Sequence, residues 1–205
     1  LLKEAKELGI VTVRIQNPSE PGDQEAFLER IHRAFGVYGG MVVKDGPNDS
    51  ATNGAVARAA IQYLESLGEN SLGIGWGHII GDLVGTVERE SRPLKLGSQV
   101  CPLIGNGGVG LKNYHSNELV RVIAEHSQAE PAFLYSPACV SSEQELCLLQ
   151  ELDNYHTVFE AWEHLDVALV NIGNFPSVPD FATEARFGDL LVRQRAVGRI
   201  LNYFV

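Results

Sequence analysis

The 205-residue chain reads as an α/β protein built on a mostly parallel sheet. Three observations predict this. Strand-like apolar runs alternate with amphipathic helical runs along almost the whole length, the order that winds a parallel sheet between helices. The segment DVALVNIG (166–173) is apolar nearly throughout, as strands covered on both faces are. Three glycine-rich segments, GIGWGH (73–78), IGNGGVG (104–110) and NIGNFPS (171–177), each follow an apolar strand. Ligands of open parallel sheets bind at the carboxyl ends of strands, near the point where strand order reverses. If the three strands are neighbours, their loops converge on one crevice.

The elements follow in order. GIVTVRI (9–15) alternates like a strand, and Pro18, Pro21 and Gly22 form a turn. Asp23 is placed to cap a helix carrying Ala26, Phe27, Ile31, Ala34 and Phe35 at helical spacing. YGGMVV (38–43) reads as a short strand, and DGPNDS as a loop with an N-cap at Asp49 or Ser50. The alanine-rich run from Ala51 to Leu67 is the clearest helix and ends at Gly68. A strand at Leu72 to Gly75 then turns into a helix from Gly77. Lys95 to Ile104 reads as the next strand, and Ser116 to Ser127 as a helix with Leu119, Val120 and Ile123 on one face. PAFLYSPACV (131–140) reads as a strand broken by Pro137. Ser141 or Ser142 caps a helix through Leu149, and Asn154 to Glu163 forms another before the strand at 166–173. The last segment, AVGRILNYFV, reads as a short helix or turn entering a final strand.

Composition removes several classes of function. A net charge of −10 and a pI near 5.0 oppose binding to nucleic acid, which relies on clustered Lys and Arg. No stretch approaches the roughly 20 apolar residues of a membrane span. Cys101, Cys139 and Cys147 lie far apart without metal-ligand spacing, and reduced thiols packed as small hydrophobes are expected. His32, His115, His126, His156 and His164 show no ligand spacing either, so no metal and no cofactor are expected. There is no GxSxG elbow, and Tyr114-His115-Ser116 reads as a helix-cap region rather than part of a triad. The chain opens on Leu1 with no basic-then-apolar leader, which is expected of a piece of a longer protein or a processed one.

The order of segments resembles the C-terminal effector-binding domain of the SorC family of bacterial transcription regulators. The resemblance runs through LLKEAKELGIVTVRI at the start and GIGWGHI at 73–79. It continues in LIGNGG at 103–108 with the helix SNELVRVIAE at 116–125, and in FLYSPACV at 133–140. It ends in DVALVNIG at 166–173 and AVGRILNYFV at 196–205. It implies a three-layer, Rossmann-like sandwich similar to the sugar-phosphate isomerase, deaminase and CoA-transferase fold, used as a sensor. Residues 1–205 would then be one effector-binding domain, with the helix-turn-helix domain preceding it and some last elements following it. A sugar or phosphosugar effector, operator DNA reached only through the absent N-terminal domain, a homodimer or homotetramer, a cytoplasmic location and no membrane contact are implied as well.

Within that frame the candidate ligand residues are Gly75, Trp76, Gly77, His78 and Ile79 in the first loop, Asn106, Gly107 and Gly108 in the second, and Asn171, Gly173, Asn174 and Arg199. A strand, glycine turn and helix start aim backbone N–H groups at an anion. Trp76 is either a core residue or a face that stacks on a sugar ring. The asparagines supply amides that fix hydroxyl orientation, or simply form turns. The family often has Arg, Ser or Thr where this chain has His78 and Ile79, so backbone donors survive while side-chain donors change. Arg199 stands where the family often has an acidic residue; it contacts an anionic ligand or pairs with a surface carboxylate. The competing reading is a sugar-phosphate isomerase or deaminase, which requires a positioned general base beside the glycine loops.

Overall fold

The structure, a computed structural model of the chain, describes residues 21–37, 39–68, 70–91, 93–107, 110, 112–174, 187 and 189–205. The expected strand at 9–15 lies outside them, as do Gly108 and the loop residues 175–180. The chain divides into two units, Leu1–Lys44 and Asp45–Val205.

In the first unit, α1 spans Pro21–Phe35. It begins two residues before Asp23, because the fixed φ of proline suits the first helical position. It ends at Gly36, whose φ of 67° lets its N–H reach the His32 carbonyl at 2.8 Å. Residues 39–43, expected as a strand, form none. Two successive glycines lose the most backbone entropy on being straightened, Met41 is half exposed, and no strand among the described residues pairs with them.

The second unit carries the sheet. Helix α2 (Asp49–Ser66) is capped by Asn48, whose Oδ1 accepts the Ala51 N–H at 2.9 Å; the cap therefore stands one residue ahead of the expected Asp49 or Ser50. Then come β1 (Leu72–Ile74), α3 (His78–Glu90), β2 (Gln99–Pro102), α4 (Ser116–Ser127) and β3 (Glu130–Pro131). Helices α5 (Glu143–Gln150) and α6 (Asp153–Glu163) lead to β4 (Val167–Leu169). The four strands form one parallel sheet in the order β3-β2-β1-β4. The chain goes from β1 to β2 on one side and returns to β4 on the other, so strand order reverses between β1 and β4.

Side chains leave β1 on both faces. Leu72 and Ile74 join the larger core with Leu83, Val87, Val120 and Ile123 of α3 and α4. Gly73 faces the other way, where an added Cβ would stand 2.5 Å from Leu103 Cδ2 and 2.9 Å from Leu165 Cδ2. Behind them Cys101, Leu134, Val158 and Ala161 form the second core, against α6. Helices on both faces of a parallel sheet make the expected three-layer α/β sandwich.

Three strand expectations shrink. The Lys95–Ile104 run is a strand only over Gln99–Pro102. The predicted 131–140 strand keeps only Pro131, in a strand that starts one residue earlier at Glu130, with a last ladder bond from the Ala132 N–H to the Val100 carbonyl at 2.9 Å. Beyond it Asn117 of α4 grips Leu134, accepting its N–H at 3.0 Å and donating to its carbonyl at 3.2 Å. The 166–173 run is not one strand buried on both faces. It splits into β4 and β5 (Ile172–Asn174), with Ala168 exposed, because β4 has a neighbour among the described strands only on its β1 side. After β5 come the short α7 (Leu190–Arg193), then β6 (Gly198–Ile200) and β7 (Tyr203–Phe204), which complete a small antiparallel sheet in the order β5-β6-β7.

Candidate functional site

The carboxyl ends of β1 and β4 meet at the point of strand reversal, and the first glycine loop crosses there. Gly75 donates its N–H to the Leu169 carbonyl at 2.9 Å, and Leu103 donates to the Ile74 carbonyl at 2.9 Å, fixing the loop between its neighbours. Gly77 then takes a φ of 125°, a conformation open to glycine and strained for any other residue. It lies against Asn171, whose amide nitrogen would be 3.1 Å from a Cβ added at Gly77. Gly77 also occupies the N-cap of α3 and, being glycine, brings no capping side chain of its own to that helix start. An uncapped start presents the orphan N–H groups and positive dipole end that bind anions.

Two of the expected backbone donors are already engaged. The Gly75 N–H serves Leu169, and the Gly77 N–H serves the Asn113 carbonyl at 3.1 Å. The donor set therefore lies further along, in the first turn of α3, with exposed His78 and half-buried Ile79 at its head. Trp76 is buried, 8% exposed, in the larger core.

The other predicted residues separate into groups. Asn171 joins the first loop directly. Asn106 stands one strand over, exchanging backbone bonds with the 136–138 segment: its N–H donates to the Ser136 carbonyl and its carbonyl accepts from the Ala138 N–H, both at 2.9 Å. Gly107 is half-buried beside it. Gly173, Asn174 and Arg199 belong to the small sheet, where Gly173 lies opposite Arg199 and the arginine side chain covers the glycine at 3.3 Å from an added Cβ. Ser116 does not cap α4. His115 holds the cap position without a side-chain bond, while the buried Ser116 hydroxyl donates to the Gly105 carbonyl at 3.0 Å.

Two further residues, Asn113 and Leu201, meet this crevice, and Asn202 follows the second. Asn113, in a short 3-10 turn, packs its amide over Gly81, where a Cβ would stand 2.2 Å from its Cγ, while its carbonyl holds Gly77. Leu201 reaches Gly75, its Cδ2 2.7 Å from an added Cβ, and Asn202 donates to Cys139 Sγ at 3.1 Å. Glycines at 75, 77 and 81 were the available signal for such close neighbours, but glycine alone does not name what approaches it.

At the opposite end of β1, Asp166 accepts from the Ser71 backbone N–H and hydroxyl, both at 2.9 Å, and these bonds hold its carboxyl below the usual range. The charged form is fixed there as a strand tie, away from the glycine loop. Burial pushes the Cys101 thiol up to about 11. Among the described residues no three His, Cys, Asp or Glu side chains are grouped to hold a metal ion. No described helix is long and apolar enough to cross a membrane.

Comparison with known proteins places this architecture. The family model described as "Putative sugar-binding domain" matches residues 21–205. The chain belongs to this sugar-binding domain family. Its relatives include the sorbitol operon regulator of Klebsiella pneumoniae, 28% identical over 188 residues, covering 89% of this chain and 58% of that protein. The deoxyribonucleoside regulator of Bacillus subtilis is 24% identical over 213 aligned positions, covering 100% of this chain and 66% of the regulator. The crystal structure of the full-length sorbitol operon regulator SorC from Klebsiella pneumoniae superposes with a TM-score of 0.79 at 26% identity, over 100% of this chain and 68% of that one. The sugar-binding domain thus carries the SorC-type α/β fold, and the chain spans 58% and 66% of the length of the two curated relatives.

Proposed function

We propose that this chain is the ligand-sensing domain of a sugar-responsive transcription regulator, and that a sugar or phosphosugar seats in the crevice between β1 and β4. The observation that carries the reading is the uncapped start of α3 facing the Asn171 amide at the strand reversal. An anionic group would take the first-turn N–H groups and His78. Hydroxyls would take the amides of Asn171 and Asn106, with Gly107, Gly108, Gly173, Asn174 and Arg199 as further candidate contacts. One named relative is a sorbitol operon regulator and the other a deoxyribonucleoside regulator, which supports a sugar or sugar derivative as effector.

The domain acts by population shift. A ligand that prefers one arrangement of subunits moves the balance only by its differential affinity for the two arrangements. Operator contact belongs to a DNA-binding part outside residues 1–205, and we place the regulator in the cytoplasm as a homodimer or homotetramer. We read the domain as a sensor rather than a catalyst. Backbone donors and amides dominate the crevice, and the Asp166 carboxylate is bound at the far end of the strand. Incubation with sugar phosphates is expected to return them unchanged while raising Tm. Isomerisation or ammonia release at enzymatic rates would overturn the sensor reading.

A further inference from the structure

The β6–β7 hairpin has a two-residue loop, because Ile200 pairs with Tyr203 and leaves Leu201 and Asn202 between them. Tight loops of this kind need positive φ, which is why glycine or asparagine usually opens them. Here Leu201 does so, at a φ of 54°. A bulky side chain in that region is a backbone outlier, and such strain persists only where surrounding contacts hold it. Two contacts hold it here. The Leu201 side chain packs against the larger core and covers Gly75. The Asn202 amide donates to Cys139 Sγ at 3.1 Å, tying the turn to the 136–139 loop. Sulfur is a weak acceptor, so the tie is easily released.

The turn therefore closes the Gly75 side of the crevice, while the Gly77 side is bounded by Asn171 and the start of α3. We propose that the Leu201–Asn202 turn is a sprung cover of the crevice, latched on Cys139, and that a ligand bound at the start of α3 and Asn171 is admitted past Gly75 by lifting it. The inference rests on the crevice being the ligand site. The strain in Leu201 favours lifting, and the core contact with the sulfur bond opposes it.

Leu201→Gly separates a cover from a structural plug. Glycine suits the left-handed position, so the hairpin is kept while the cover is removed. Hydrogen exchange on the full chain should show the Gly75 amide, which exchanges only when its bond to the Leu169 carbonyl opens, exchanging at least tenfold faster once the Leu201 packing over it is gone, with Tm within a few degrees of wild type. Unchanged exchange at Gly75 overturns the proposal, and so does a large loss of Tm, which marks a merely structural residue. Thiol labelling with DTNB tests the latch separately. Cys147 is exposed and should react fast in every variant, and buried Cys101 slowly. Asn202→Ala should speed Cys139 at least tenfold, and an unchanged Cys139 rate overturns the latch. Fast labelling of Cys101 would report unfolding, in which case the exchange result on Leu201→Gly decides. Neither readout uses a ligand, so failure to bind any sugar would count against the sensing role and leave the cover to stand or fall by itself.

Discussion

At the scale of single residues, Gly77 concentrates the argument. Its φ of 125° and its contact with Asn171 leave no room for a side chain. Gly77→Val should cost about 1–3 kcal/mol in urea unfolding through backbone strain. It should also abolish ligand stabilisation, since the backbone can no longer be approached. His78 heads α3 and is exposed. If an anion seats at that helix start, His78→Ala should weaken it, measured by titration calorimetry. Unchanged affinity would remove the His78 side chain from the site. Asp166 yields a pH prediction of definite sign. Its carboxyl is held low by the Ser71 N–H and hydroxyl, so its contribution to stability is present above the ordinary aspartate value near ~3.9 and lost as pH falls below it. Asp166→Asn should lower Tm at pH 7 and flatten the fall of Tm between pH 5 and pH 2. The special glycines could be read from the chain as close-approach positions. Their partners Asn113 and Leu201 could not, because each is brought in by the fold from outside the loop.

At the scale of elements, legibility followed the length and periodicity of each segment. Helices α2 and α4 stand within a residue or two of their predicted bounds, since caps and a 3.6-residue apolar rhythm are local signals. Strands fared less well. Neighbours decide where a ladder stops, and the apolar segment at 131–140 exchanges ladder bonds for the Asn117 clamp after Ala132. Asn117→Ala should therefore leave the Leu134 N–H and carbonyl without their partners and cost about 2–3 kcal/mol in chemical denaturation. A cost under about 0.5 kcal/mol would mean water replaces the clamp. The apolar 166–173 run was read as buried on both faces, but β4 has one described neighbour and Ala168 is exposed. Residue composition alone does not tell an edge strand from a central one.

At the scale of the whole molecule, the parallel order β3-β2-β1-β4 puts the first glycine loop and Asn171 side by side at the strand reversal, and the family match across 21–205 makes the chain a sugar-binding domain by descent. Alternation of strands and helices was enough to anticipate the layers. The convergence of the first loop with Asn171 was anticipated as a condition on strand order, which the sheet meets; Asn174 and Arg199 instead fall in the small sheet. The central claim is that the β1–β4 crevice binds a sugar or its phosphate. A thermal-shift titration of the full chain with sugars, polyols and their phosphates tests it most directly, with inorganic phosphate as control and Asn171→Ala beside wild type. The account predicts that one compound raises Tm progressively with concentration, as binding to the native state requires, and that Asn171→Ala reduces the shift. No stabilisation by any compound, or a shift untouched by Asn171→Ala and Gly77→Val, would contradict it.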